Sequence, residues 1–294
     1  MTGVLRGVAK RVSGDWRAVL FLIGVALIPA CAVKLVYNQL DWLVPWYVSD
    51  YLDLNGKQDD FFEERLEDYL DWHRKSQLPE YSAFLDKVAT DVADGLSEQE
   101  VRYLQNETER LAGIMMERLA PDIADLFADA DDQQLTDLYV LLEKEGDRLR
   151  AKNAGASLRK LQEEQVEEVI DTIERWTGSL SDAQEDMVAT WGGRYQPMGE
   201  DFYQAGTAWR AEFKGVLALR KQPKLYRSRL ITLLTTPNFG RSETLEQKLE
   251  SNKNALTQLY FELDRSFTKK QRRHIVSTLH SYAEDFAQLS KEDG

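Results

Sequence analysis

The sequence predicts an all-α fold, an elongated multi-helix bundle, and three observations carry that expectation. Apolar side chains recur every three or four residues through most of the chain, the period of one helical face. No stretch alternates apolar and polar residues for long enough to read as a strand. Cap-like signatures and isolated prolines separate the periodic sets, where helix starts and breaks belong. Apolar residues make up 43% of the chain and aromatics 10%, enough to fill a core and to set disorder aside.

The first element is a leader. Residues 1–17 carry Arg6, Lys10, Arg11 and Arg17 against Asp15, and residues 18–30 are uncharged and apolar or small. That run fits the ~7–15 residues of a signal-peptide core and falls short of the ~20 that a spanning helix needs. Pro29 and Ala30 give a peptidase an extended, uncrowded backbone at its end. Ile28, Ala30 and Cys31 together resemble the bacterial lipobox. The resemblance implies cleavage between Ala30 and Cys31, a thioether-linked diacylglycerol on Cys31, and acylation (palmitate or a similar chain) of the new amino terminus. Ala32 lacks the acidic retention signal of that family, which implies the periplasmic side of the outer membrane. An uncleaved signal anchor that happens to end in cysteine is the alternative.

Residues 31–294 are expected to form a single helical domain. The breaks at Ala151–Ala156 and Thr236–Arg241 are too short to link independent domains. Net charge is −13 for the whole chain, and losing a basic leader makes the remainder more acidic still. Such a surface repels phosphate backbones, so nucleic acid is set aside as a partner. Cys31 is the sole cysteine, and once acylated it leaves no thiol for a disulfide, a zinc site or a nucleophile.

Within the mature chain, residues 33–54 are dense in apolar groups. Val36, Leu40, Leu43, Tyr47 and Tyr51 follow helical steps, with a kink expected at Pro45. A run apolar nearly all round reads as a core helix. Contact of Trp42 and Trp46 with the membrane interface is the alternative, because indoles favour that layer. Helical sets follow around Phe61–His73, Phe84–Val92, Val101–Leu119, Leu135–Leu149, Leu158–Trp176, Phe202–Leu217, Leu245–Leu263 and Ile275–Leu289. Pro79, Pro121, Pro197, Pro223 and Pro237 lie between sets and are expected to start or break helices.

A short signature recurs at the predicted starts: Leu54–Gln58, Leu96–Glu100, Leu180–Gln184, Phe267–Gln271 and a degenerate Ala130–Gln134. Each reads as a capping box, in which Asn55, Ser97, Ser181 or Thr268 accepts from an orphan N–H and the Gln or Glu three residues on reaches back. The boxes resemble the Leu-Thr-x-x-Gln motifs of Spy-type periplasmic chaperones, which implies a cradle for unfolded clients. Plain helix caps are the other reading. A broader resemblance runs through Val36–Leu43, Tyr51–Leu54, Trp72-His73-Arg74, Leu78–Tyr81, Pro237-Asn238-Phe239 and Ser281–Phe286. It points to an uncharacterised family of proteobacterial lipoproteins, a domain of unknown function, and carries no catalytic residues with it.

Candidate sites are few. His73, His274 and His280 are the only histidines, and 274/280 miss the i,i+4 spacing that sets two ligands on one helical face. No metal and no cofactor is expected, and His73 reads as a packed structural residue. The Gly-rich phosphate loop, the Gly-x-Ser-x-Gly elbow and the Ser-x-x-Lys nucleophile motif cannot be placed, so no catalytic residue is assigned. Two cationic islands stand out: Arg220, Lys221, Lys224, Arg227 and Arg229, then Lys269, Lys270, Arg272 and Arg273. They are candidate contacts for anionic headgroups or an acidic partner. The leading functional expectation is a non-catalytic, lipid-anchored lipoprotein that binds or scaffolds an envelope component. The alternatives are a chaperone-like binder of unfolded envelope proteins and a hydrolase with an unrecognised site.

Overall fold

The computed structural model describes residues 30–292. The expected leader lies outside the described residues, and so do the side chains of Ala30 and Cys31. Two short helices come first, α1 (Ala30–Tyr37) and α2 (Leu40–Val48). Helix α3 (Gly56–Trp72) runs through a π turn (His73–Gln77) into α4 (Leu78–Asp94). Then come α5 (Glu98–Ala128), α6 (Asp132–Asn153), α7 (Leu158–Thr177) and α8 (Asp182–Gly192). The chain closes with α9 (Gly199–Leu217), α10 (Pro223–Leu234), α11 (Glu243–Ser266) and α12 (Lys269–Leu289). No strand occurs among the described residues, and the fold is an all-α bundle.

Two expectations need correction. The apolar run 33–54 is not one helix. The chain turns at Asn38–Gln39, α2 ends at Val48, and Ser49 Oγ donates to the Trp46 carbonyl at 2.7 Å. The run is also amphipathic: Val33, Tyr37, Leu40 and Leu43 are buried, whereas Leu35, Trp42 and Trp46 face outward. Pro121, expected to break a helix, sits inside the 31-residue α5. Its ring removes one backbone donor. The flanking Ala120 and Ala124 are fully buried, and Tyr226 of α10 donates to the Ala124 carbonyl at 2.8 Å, so packing overrides the local cost.

Helix α5, about 45 Å long at 1.5 Å per residue, is the spine. Near its start Arg102 and Gln105 meet Asn254 and Thr257 of α11. Near its end Asp125 meets Arg227 of α10. A core of Phe213, Leu217, Tyr226 and Leu230 fills the far end, and Val169, Ile173, Trp191 and Leu259 fill the near end. Each such buried chain is worth ~1.5–3 kcal/mol of transfer free energy. The most extensive pairing joins α4 to α12, antiparallel along nearly their whole length. Ser82 Oγ donates to the Ala283 carbonyl at 2.8 Å, Asp86 faces His280, and Arg272 reaches the Val92 carbonyl.

The capping boxes do more than cap. Asn55, Asp131 and Thr268 accept from the N–H three residues on, and Gln58, Gln134 and Gln271 reach back to the cap residue's own N–H. At Ser181 only the return bond is made by a side chain, from Ser181 N–H to Gln184 Oε1 at 3.0 Å. These four glutamines are buried and pair across the fold. Gln58 and Gln134 exchange amide bonds of 3.1 and 2.7 Å, and Gln184 and Gln271 exchange bonds of 3.3 and 2.9 Å. The second N–H of each carboxamide goes to a backbone carbonyl, of Asp129, Asp53, Ser266 and Ser179 respectively. The Ser97–Glu100 box lies nearer the surface and has no such partner glutamine.

Breaking one partner leaves one N–H of the other's carboxamide buried and unpaired. Gln58→Leu and Gln134→Leu are each expected to lower unfolding free energy by ~1–3 kcal/mol in urea titrations. In the double variant the losses should fall short of additivity by about 1 kcal/mol. Strict additivity would show that the two amides do not act as a pair.

Candidate functional site

The most concentrated buried chemistry lies at the π turn. A wider turn of this kind often marks a functional position, and here it turns His73, Arg74, Gln77 and Leu78 inward together. His73 is 2% exposed. Its Nδ1 is 2.9 Å from the Tyr37 hydroxyl of α1. The imidazole stacks with Tyr37 and Tyr69 and meets Tyr81 edge-on, with centroids 5.5 to 6.1 Å away. Tyr81 in turn meets Phe286 of α12. Arg74 lies over the Tyr37 ring at 5.0 Å and donates to the Leu289 carbonyl at 3.2 Å and to Asn38 Oδ1 at 3.4 Å. One turn of chain thus clasps both α1 and the end of α12.

The electrostatics follow from burial. Burial, then the neighbouring Arg74 guanidinium, pushes the His73 imidazole down to about 4, so the ring is neutral at pH 7. Burial also pushes the Tyr37, Tyr69 and Tyr81 hydroxyls well above the usual tyrosine range. His73 Nε2 and Gln77 Oε1 have no hydrogen-bond partner among the described residues. The junction is a set of neutral rings around one ordered cation. What it does chemically is hold two chain segments together.

A profile described as "Family of unknown function (DUF6279)" matches residues 50–246, about two thirds of the chain. The chain belongs to the DUF6279 family. No curated protein and no solved structure matches it. The matched stretch contains His73, Arg74 and the Gln58–Gln134 bridge, while Tyr37 and α12 fall outside it.

In this DUF6279 chain the cationic islands divide by role. Arg220 pairs with Asp132 at 2.8 Å and Arg227 holds Asp125 through two bonds. Arg272 clamps Asp264, which is 1% exposed and also accepts from the Leu96 N–H at 2.9 Å. Those three arginines are structural. Lys221, Lys224, Arg229, Lys269, Lys270 and Arg273 stay exposed with no ion pair among the described residues. His274 is exposed, and His280 meets Asp86 at 2.9 Å on the surface. No group of three or more potential metal ligands occurs among the described residues.

Among the clefts on the described surface, two lie between helix pairs. One of about 200 Å³ lies between α8 and α11, lined by Asp186, Met187, Trp191, Arg194 and Glu262. The other, about 380 Å³, lies between α6 and α9, with Tyr139, Val140, Glu143, Arg210 and Lys214. Neither is lined by a histidine. Periodicity and composition gave no sign of the Tyr37–His73 contact or the buried Asp264. The Trp72-His73-Arg74 triplet, already part of the family resemblance, was the one available signal.

His73 makes stability pH-dependent. Its folded pKa lies below the ordinary value near 6.5, so the unfolded chain binds the extra proton between about pH 6.5 and 4. Its contribution is complete above pH 6.5 and falls away as pH drops, by about 2–3 kcal/mol at pH 4.5. The stability gap between the parent chain and His73→Phe should therefore narrow by that amount from pH 7 to 4.5, and a constant gap would count against a buried neutral imidazole. Arg272→Ala, which strands the Asp264 carboxylate, should cost ~3–5 kcal/mol in denaturant unfolding. The pair Lys269→Ala and Lys270→Ala should shift stability by under ~0.5 kcal/mol each.

Proposed function

We propose that this chain is a lipid-anchored lipoprotein on the periplasmic side of the outer membrane, non-catalytic, whose helical body binds or scaffolds another envelope component. The observation that carries the reading is Cys31, placed directly after Ala30 at the end of the uncharged run 18–30. The structure supports a short, firm attachment. Val33, the second residue after Cys31, is fully buried, and Lys34 of α1 pairs with Asp285 of α12 at 3.2 Å. At roughly 3.5 Å per residue, no more than about 10 Å of chain separates the acylated sulfur from the body. Such an arrangement suits a scaffold held against the bilayer and ill suits a long tether. No helix among the described residues is long and apolar enough to cross a membrane. The glutamines behind the chaperone resemblance spend their side chains inside the bundle, so no specific observation favours that alternative.

Mass spectrometry of the mature protein should find its first residue to be Cys31 carrying a diacylglyceryl group and an amide-linked acyl chain. The protein should fractionate with the outer membrane, and Cys31→Ser should lose both the modification and that location. A bare thiol on a chain that keeps its leader would overturn the reading. Crosslinking of the native envelope should recover a partner from the parent strain and not from the Cys31→Ser strain.

A further inference from the structure

The segment that follows the anchor exposes an aromatic ledge. Trp42 and Trp46 are 60% and 57% exposed, and their rings stack at 6.5 Å with an 11° tilt. Leu35 of α1 is 63% exposed. The other tryptophans among the described residues, Trp72, Trp176, Trp191 and Trp209, are buried or half-buried. The ledge is not loose: the opposite face of the same helix sends Leu40 and Leu43 into the core, and α1 is fixed through Val33 and Tyr37.

We propose that Trp42 and Trp46 seat in the headgroup layer of the bilayer to which Cys31 is anchored. The proposal rests on the lipid-anchor reading above. Geometry argues for a membrane occupant. From Cys31 to the turn at Asn38–Gln39 the chain advances only about 10 Å along α1, and Trp42 follows within one further turn. Acyl chains at that point hold the ledge within about 20 Å of the lipid, less than a bilayer's thickness. Indoles, apolar in the ring and polar at N–H, favour that layer. The proposed anchor, with several acyl chains, supplies affinity by itself, and what a second contact adds is a fixed orientation. Exposed Asp41 beside Trp42 fits a zwitterionic headgroup better than an anionic one.

The test uses residues 31–294, which contain the whole described body, coupled through the sole cysteine to maleimide lipid in phosphatidylcholine vesicles. Brominated acyl chains in the vesicles should quench tryptophan fluorescence, and the quenching should fall at least twofold in Trp42→Phe/Trp46→Phe, with unfolding in urea unchanged. Equal quenching in both proteins, or none in either, overturns the ledge. Loss of a protein–protein crosslink in the double variant without any lipid quenching also overturns it, because the ledge then belongs to a protein partner or a second copy. Chemical coupling makes the result independent of acylation in the cell. The mass of the native protein decides the anchor, and the quenching decides the ledge.

Discussion

The antiparallel packing of α12 along α4 is the contact on which the other features depend. It spans from Arg74 and Leu289 at one end to Val92 and Arg272 at the other, so the last helix is laid over the first third of the body. Residues Leu78, Val88, Val92, Ile275, Leu279 and Phe286 are buried along the seam, and removing them from water is the main driving force. The polar contacts then fix register. Arg74 donates to the Leu289 carbonyl while lying over the Tyr37 ring, and Gln271 meets Gln184 where α12 begins. The closure is long-range in sequence, so it carries a larger loop-closure entropy than the local caps.

The glutamine bridges show how a local motif acquires a tertiary role. A glutamine in a capping box already offers its carbonyl to the N-cap N–H. Its two N–H donors remain, and burying them unpaired costs free energy. Setting two boxes face to face solves both problems together, since each carboxamide accepts from its partner and donates to it, then gives its last N–H to a nearby carbonyl. The arrangement is fully satisfied, which is the condition under which a buried polar network specifies one packing. Asp264 illustrates the charged version: a carboxylate buried at a helix end is held by Arg272 and by the Leu96 N–H.

Helix type and position were legible in the sequence, because 3.6-residue periodicity and capping chemistry are local. Five box positions mark helix starts, and the breaks near Asn153 and Asn238 appear as turns. What was not legible is pairwise. Nothing in Leu54–Gln58 says that its glutamine meets Gln134 and not Gln184, and nothing in Arg272 separates it from Arg273. Pro121 and the run 33–54 misled for a related reason: a proline or an apolar face is read by its local cost, while packing against α10 or α12 decides the outcome. The π turn is invisible to periodicity, since one extra residue per turn only blurs the phase between Tyr69 and Leu78. The cationic islands look uniform in sequence and divide in the fold, three arginines bound to carboxylates and six basic residues without an ion pair among the described residues.

That division bears on orientation at a membrane. The chain is acidic, so anionic lipid alone would repel most of its surface, with attraction confined to isolated clusters such as Lys221, Lys224 and Arg229. An acyl anchor removes the need for net attraction, because it sets the local concentration of the body at the interface whatever its charge. On the proposed anchor, orientation depends on which face turns toward the lipid, a matter of contacts within reach of Cys31. Tyr37 of α1 is held at His73 and Arg74, and α2, which carries both indoles, is held by its own buried Leu40 and Leu43, so the proposed preference of the indoles for the headgroup layer would act on the whole bundle. On the proposed seating, the buried junction and the exposed ledge divide the work: one holds the N-terminal segment to the body, and the other would set that segment against the membrane.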